Sequence, residues 1–155
     1  MTKILVVSDT HGNKVEFKQL VSADSFDYVL FLGDLLGDVQ GLGLKNLHCV
    51  RGNWDLDFKT PVEAFLEVEN VKIMFTHGHK YGVKSGLGGL IKVAKQEKCD
   101  FVCYGHTHVQ NFVEIDNIGF LNPGAFSNFK GGKRTYAVLD VDNKKINVNI
   151  LNYLK

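Results

Sequence analysis

The apolar positions of this chain fall into short runs, each stopped by small or polar residues, and the period inside each run separates strand from helix. Lys3 to Val7 is apolar and β-branched, the pattern of a strand buried on both faces, and it stops at Ser8-Asp9-Thr10-His11-Gly12. A helix is expected from about Asn13 to Val21, with Phe17, Leu20 and Val21 facing inward and Asn13 as N-cap. Tyr28 to Leu32 reads as a second strand ending at Gly33-Asp34. A Gly-rich segment follows, in which Gly37, Gly41 and Gly43 suit loop or helix-edge positions. Leu47 to Val50 reads as a third strand running into Arg51-Gly52-Asn53-Trp54-Asp55.

Pro61 interrupts the next stretch, after which Ala64 to Val68 and Val71 to Thr76 predict a hairpin turning at Glu69-Asn70. Its second strand ends at His77-Gly78-His79. Leu87, Leu90, Ile91 and Ala94 recur at helical spacing, so a helix is expected from about Gly86 to Lys98. Phe101 to Tyr104 suits a buried strand and runs into Gly105-His106-Thr107-His108. Alternation near Val109–Ile115, Tyr136–Val141 and Ile146–Leu151 predicts antiparallel strands, with turns at Asn122-Pro123-Gly124 and Asp142-Asn143. Strand–helix alternation first and a largely β C-terminal part afterwards predict an α/β fold of two packed β-sheets flanked by helices.

Composition narrows the class. A chain of 155 residues, 45% hydrophobic and 23% charged, suits one globular domain over residues 1–155. Its 18 Lys/Arg and 17 Asp/Glu are well mixed and leave a formal charge of +1. No extended nucleic-acid surface or membrane partner is therefore expected. No apolar run is long enough to span a bilayer, and the first strand begins at Lys3 with no signal peptide before it. Cys49, Cys99 and Cys103 are odd in number and lie within or beside apolar runs, so they read as reduced packing residues of a cytoplasmic protein.

Five strand-like runs end in residues that can bind metal: Asp9 and His11, then Asp34, then Asn53, then His77 and His79, then His106 and His108. His106 and His108 sit at i and i+2 of an extended segment, so both rings can converge on one centre. Each residue has a bland reading. Asp9 could cap a helix, Asp34 and Asn53 could be turn residues, and His77 and His79 could be solvated loop residues. Recurrence at five strand ends is poorly explained that way, because open α/β sheets bind ligands at the carboxyl ends of their strands. His48 is the one histidine inside a strand-like run, and no metal role is expected for it. Gly82-Val83-Lys84-Ser85 has Val83 between its glycine and lysine, so it is no phosphate-binding loop. Gly86 to Ile91 lacks the third glycine of a dinucleotide fingerprint.

Taken in order, Asp-x-His, Gly-Asp, Gly-Asn-x-Asp, His-Gly-His and Gly-His-Thr-His resemble the calcineurin-like metallophosphoesterase superfamily. The short length and the late Asn-Pro-Gly resemble its small single-domain prokaryotic phosphodiesterase branch. The resemblance implies two divalent ions. Asp9, His11 and His108 would hold the first, Asn53, His77 and His106 the second, and Asp34 would bridge them. It also implies attack on phosphorus by a hydroxide between the ions, aided by the Asn53 amide. Mixed carboxylate, imidazole and amide donors suit manganese, iron, zinc or nickel better than magnesium or calcium, with manganese foremost. Asp55 is expected to orient the site rather than to ligate.

One position departs from the pattern. Many superfamily members carry a histidine directly after the asparagine, thought to protonate the leaving oxygen; here Trp54 stands there and cannot donate that proton. The departure fits the diesterase branch and leaves His79 as the substitute acid or phosphate contact. The expected substrate is a small phosphodiester, and a homo-oligomer is compatible with the sequence. The alternatives are a phosphomonoesterase or nucleotidase, and a metal-containing protein-interaction scaffold resembling the small retromer subunit. Leu35–Leu44, Asp55–Pro61 and Lys80–Gly89 are the expected pocket walls.

Overall fold

Residues 1–128 and 131–154 are described by the structure, a computed structural model. Among them the chain forms β1 (Thr2–Val7), α1 (Lys14–Ala23), β2 (Tyr28–Phe31), α2 (Gly37–Gln40), β3 (Leu47–Cys49), β4 (Glu63–Val68) and β5 (Val71–Thr76). There follow α3 (Gly88–Gln96), β6 (Phe101–Cys103), β7 (Asn111–Ile115), β8 (Ile118–Asn122), β9 (Thr135–Asp142) and β10 (Lys145–Asn152). One sheet has the order β10-β9-β1-β2-β3 and the other β4-β5-β6-β8-β7. This is the α/β sandwich that the sequence predicts.

The unbroken apolar runs follow from this layering, because each central strand needs an apolar residue on both faces. Ile4 and Val6 of β1 meet Ile73, Phe75 and Phe101 of the opposite sheet in the inner core. Leu5 and Val7, pointing the other way, pack under Phe17 and Leu20 of α1 and Val39 of α2. On the far side, Met74 and Val102 are covered by Leu90 and Ala94 of α3. Among the described residues, no helix is long and apolar enough to cross a membrane.

Register sets where the loops emerge. β1, β2 and β3 are parallel, with Val7 opposite Phe31 and Phe31 opposite Cys49, so their C-terminal ends are level. β5 and β6 are likewise parallel, with Phe75 opposite Cys103. The strand ends at Asp9, Asp34, His77 and His106 therefore open onto one edge of the sandwich.

Four details differ from the sequence reading. Asn13 precedes α1 but does not cap it: its Nδ2 donates to the Thr10 carbonyl at 2.6 Å and its Oδ1 accepts from Arg134 Nε at 2.7 Å. α3 begins only at Gly88, because two 3-10 turns, His79–Tyr81 and Val83–Ser85, take up the chain before it. The last turn is Asn143-Lys144 rather than Asp142-Asn143, because Asp142 still pairs with Lys145 across the hairpin. β8 is an additional strand ending at Asn122, and its residues are buried on both faces.

Candidate metal centre

Asp9 and Asp34 are buried, at 0% and 2% exposure, and imidazoles surround them. Asp9 Oδ1 lies 3.0 Å from His77 Nε2, 3.2 Å from His108 Nε2 and 3.7 Å from His11 Nε2. Asp34 Oδ2 lies 3.3 Å from His77 Nε2 and 4.0 Å from His11 Nε2. The Nε2 atoms of His11 and His108 are 3.3 Å apart, and the His106 ring stands 4.9 Å from that of His77. Two groups of donor atoms result, Asp9–His11–His108 and Asp9–Asp34–His77, each lying within 4.8 Å. Three imidazole nitrogens aimed at one carboxylate oxygen exceed what hydrogen bonding needs. A cation among them would give each lone pair a partner and offset the burial of two carboxylates. The donor set fits divalent metal.

The rest of the expected set is placed as follows. Asn53 is exposed at the rim, between Gly52 and Trp54, whose backbone N–H donates to Asp34 Oδ1 at 3.0 Å. His79 is half-buried, with its Nδ1 3.1 Å from Nδ1 of His77. A ring that presents Nε2 to a metal commonly fixes its orientation through the other nitrogen, and His79 occupies that position on His77. His48 is exposed on β3 against Tyr28, away from this cluster.

The backbone is bent to aim these groups. Asp9, His11, Asp34, His106 and His108 all have positive φ, between 43° and 72°. Left-handed non-glycine residues cost on the order of 1 kcal/mol or more and persist only where their surroundings hold them. Asp55, buried, accepts from the N–H groups of Asp34 (2.8 Å), Gly52 (2.8 Å) and Leu36 (2.7 Å). Two glycines let the segments close in. A Cβ on Gly52 would sit 2.0 Å from Asp34 Oδ1, and one on Gly105 would sit 2.1 Å from Ser8 Oγ and 2.8 Å from Asp9 Oδ2.

Three supporting residues escaped the sequence reading. Ser8 Oγ and the His106 N–H both donate to Asp9 Oδ2. Asp38 takes the Thr10 hydroxyl at 2.6 Å and the Gly12 N–H at 2.7 Å, pinning the loop that carries His11. Asn122 Nδ2 donates to the Gly105 carbonyl (3.2 Å) and Thr107 Oγ1 (2.9 Å), holding the Gly-His-Thr-His turn. The Asn-Pro-Gly motif carrying Asn122 was the only available signal, and it indicates a turn.

Charge is strongly polarised here. Burial alone would push Asp9 up, but hydrogen bonds to His108, His11 and His77 hold it well below the usual carboxylate range. Burial alone would lower His77, yet hydrogen bonds to Asp34 and Asp9 win and raise it to about 9. His11 is raised by its hydrogen bond to Asp9. His106 falls to about 4, first through burial and then through the charge of His77. His79 is lowered for the same two reasons. The three cysteines are free, and burial raises each thiol, Cys49 to about 12 and Cys99 to about 11.

With this geometry established, comparison with known proteins is informative. A sequence model of the calcineurin-like phosphoesterase superfamily domain matches residues 2–144. A probable metallophosphoesterase of Mycoplasma pneumoniae is 29% identical over 151 residues, covering 94% of both chains. A phosphodiesterase of Methanocaldococcus jannaschii is 26% identical, covering 92% of this chain and 95% of its own. Among solved structures, a predicted phosphoesterase of Streptococcus pneumoniae superposes with a TM-score of 0.86 at 27% identity, over 98% of this chain and 90% of that one. Vps29 of Chaetomium thermophilum superposes with a TM-score of 0.79 at 20% identity, over 98% and 97%, a likeness of fold alone.

Proposed function

The chain belongs to the calcineurin-like phosphoesterase superfamily, metal-dependent hydrolases of phosphoester bonds, and on that premise we propose that it hydrolyses small phosphodiesters at a dinuclear centre. The observation that carries this reading is the buried pair Asp9 and Asp34, each faced by imidazole nitrogens from both sheets. Asp9, His11 and His108 would hold one divalent ion and Asn53, His77 and His106 the other, with Asp34 between them. Two such ions, manganese foremost and nickel, iron or zinc as alternatives, would supply charge neutralisation for the phosphoryl oxygens and a water of lowered pKa. The chain's own groups do the rest. Asp9 and Asp34 supply the negative charge that retains cations, and the Asn53 amide at the rim can donate to a phosphoryl oxygen. Nδ1 of His79 faces His77, which leaves its Nε2 as a contact for a phosphoryl or leaving oxygen.

The diester preference draws on Trp54, which removes the usual monoesterase acid, and on the relative named a phosphodiesterase. The test is turnover of bis(4-nitrophenyl) phosphate against 4-nitrophenyl phosphate by manganese-loaded protein. Faster diester cleavage, lost in His108→Ala with the fold retained, supports the reading; a monoester preference above tenfold overturns it. A non-enzymatic scaffold is the second reading, drawing on the fold likeness to Vps29. Two bound ions without hydrolysis of any phosphoester would favour it.

A further inference from the structure

Three of the nine exposed large hydrophobic side chains among the described residues lie within five positions: Trp54 (66%), Leu56 (83%) and Phe58 (74%). All three are on the loop between β3 and β4. An indole two-thirds in water forgoes the burial that tryptophan ordinarily obtains. The loop is nevertheless held. Asp55 receives three backbone N–H groups, and Arg51 bonds the Thr60 carbonyl at 2.7 Å while its guanidinium lies 5.2 Å over the Phe58 ring.

Trp54 is also tied to the metal centre. Its N–H donates to Asp34 Oδ1 at 3.0 Å, and its ring meets that of His11 edge-on, centroids 6.3 Å apart and planes at 87°. An aromatic ring thus stands beside the proposed metal centre, which on that reading would take anionic phosphoryl groups. The occupant that satisfies both is a phosphoester carrying an aromatic ring: its phosphoryl group goes to the cations and its ring covers the indole. A lipid surface or a second chain would cover the apolar side chains but leave the adjoining cationic centre without an anion.

We propose that Trp54 is a specificity-determining residue that stacks on the aromatic group of the substrate, so that the preferred phosphoesters are nucleotide-like or aryl. The proposal rests on the metal-centre reading given above. Stacking engages the π-face common to every base, so purines and pyrimidines are both accommodated.

Trp54 is the sole tryptophan of the chain, so its emission reports the contact directly. Zinc-loaded protein is titrated with adenosine 5′-monophosphate and, separately, with ribose 5-phosphate, which offers the same phosphate without a base. Adenosine 5′-monophosphate should quench the emission saturably and bind about five- to a hundredfold more tightly. Ribose 5-phosphate should bind, by calorimetry, with the emission unchanged. Trp54→Ala should bring the nucleotide's affinity down to that of ribose 5-phosphate, and Trp54→Phe should keep it within about threefold, both with unaltered metal content. Equal affinities in the unsubstituted protein, or a nucleotide preference that survives Trp54→Ala, overturn the proposal. Diester turnover with equal affinities overturns the stacking role alone. If neither ligand binds and no phosphoester is cleaved, the metal-centre reading fails and the stacking proposal fails with it.

Discussion

Opposite edges of the two sheets use the same unusual backbone conformation for different ends. At one edge, three two-residue hairpin turns have both central residues at positive φ: Glu69-Asn70, Asp116-Asn117 and Asn143-Lys144. Such turns match the twist of the strands they join, and Asn and Asp tolerate them. The first and third also brace each other, through Asn70 Nδ2 to Asn143 Oδ1 at 2.9 Å and the Lys144 N–H to the Glu69 carbonyl at 3.0 Å. At the other edge the left-handed residues are Asp9, His11, Asp34, His106 and His108, and no hairpin requires them. The first edge closes strands. The second aims donor atoms, and its strain is held by buried hydrogen bonds and by close approach at glycines.

The largest expected effects come from breaking that second arrangement. Gly105→Ala places a methyl group against Ser8 Oγ and Asp9 Oδ2. It should cost about 2–4 kcal/mol in urea unfolding and reduce bound metal well below that of the parent protein. Retention of both stability and metal would show that the close approach is not what aims Asp9. Asp55→Ala strands three backbone N–H groups. It should cost about 2–3 kcal/mol and weaken metal affinity about ten- to a hundredfold. A loss of stability with unchanged metal affinity would make Asp55 a loop anchor only.

Protonation gives a more graded test. The folded pKa of His77, about 9, is above its ordinary 6.5, because of Asp34 and Asp9. In metal-free protein this attraction is fully present below pH 6.5 and is lost as pH rises through about 9. Thermal stability of the metal-free protein should therefore fall across that window, and His77→Gln should flatten the fall. Metal must displace the same protons, so its affinity should rise with pH over the same range, with proton release detectable by calorimetry in buffers of different ionisation enthalpy. The smallest effect belongs to the hairpin edge. Asn117→Gly should stay within about 0.5 kcal/mol of the parent with metal content unchanged, since glycine adopts positive φ readily.

The two edges were also legible to different depths. Glu69-Asn70 stands between two apolar runs of strand length, so the hairpin is readable from the runs and the polar pair between them. The ligand-bearing strand ends are readable because each apolar run stops abruptly at a small or polar residue followed by a donor. β8 escapes that reading: Ile118–Asn122 is short and buried on both faces, hence without alternation. With β8 hidden, the Asp116-Asn117 turn was hidden too. Asp38 sits in a Gly-rich stretch whose helix is only four residues long, and its partners Thr10 and Gly12 are far away in the chain. Asn122 belongs visibly to a turn motif, but only the fold brings it to Gly105 and Thr107. Local pattern reveals what a segment does with its own neighbours; the brace around the site is long-range.

Metal stoichiometry tests the central claim most directly. Elemental analysis after manganese loading and gel filtration should find two ions per chain in the parent protein, and no more than one in Asp34→Ala with its far-ultraviolet circular dichroism unchanged. A parent protein that holds a single ion, or an Asp34→Ala variant that still holds two, would contradict the dinuclear account.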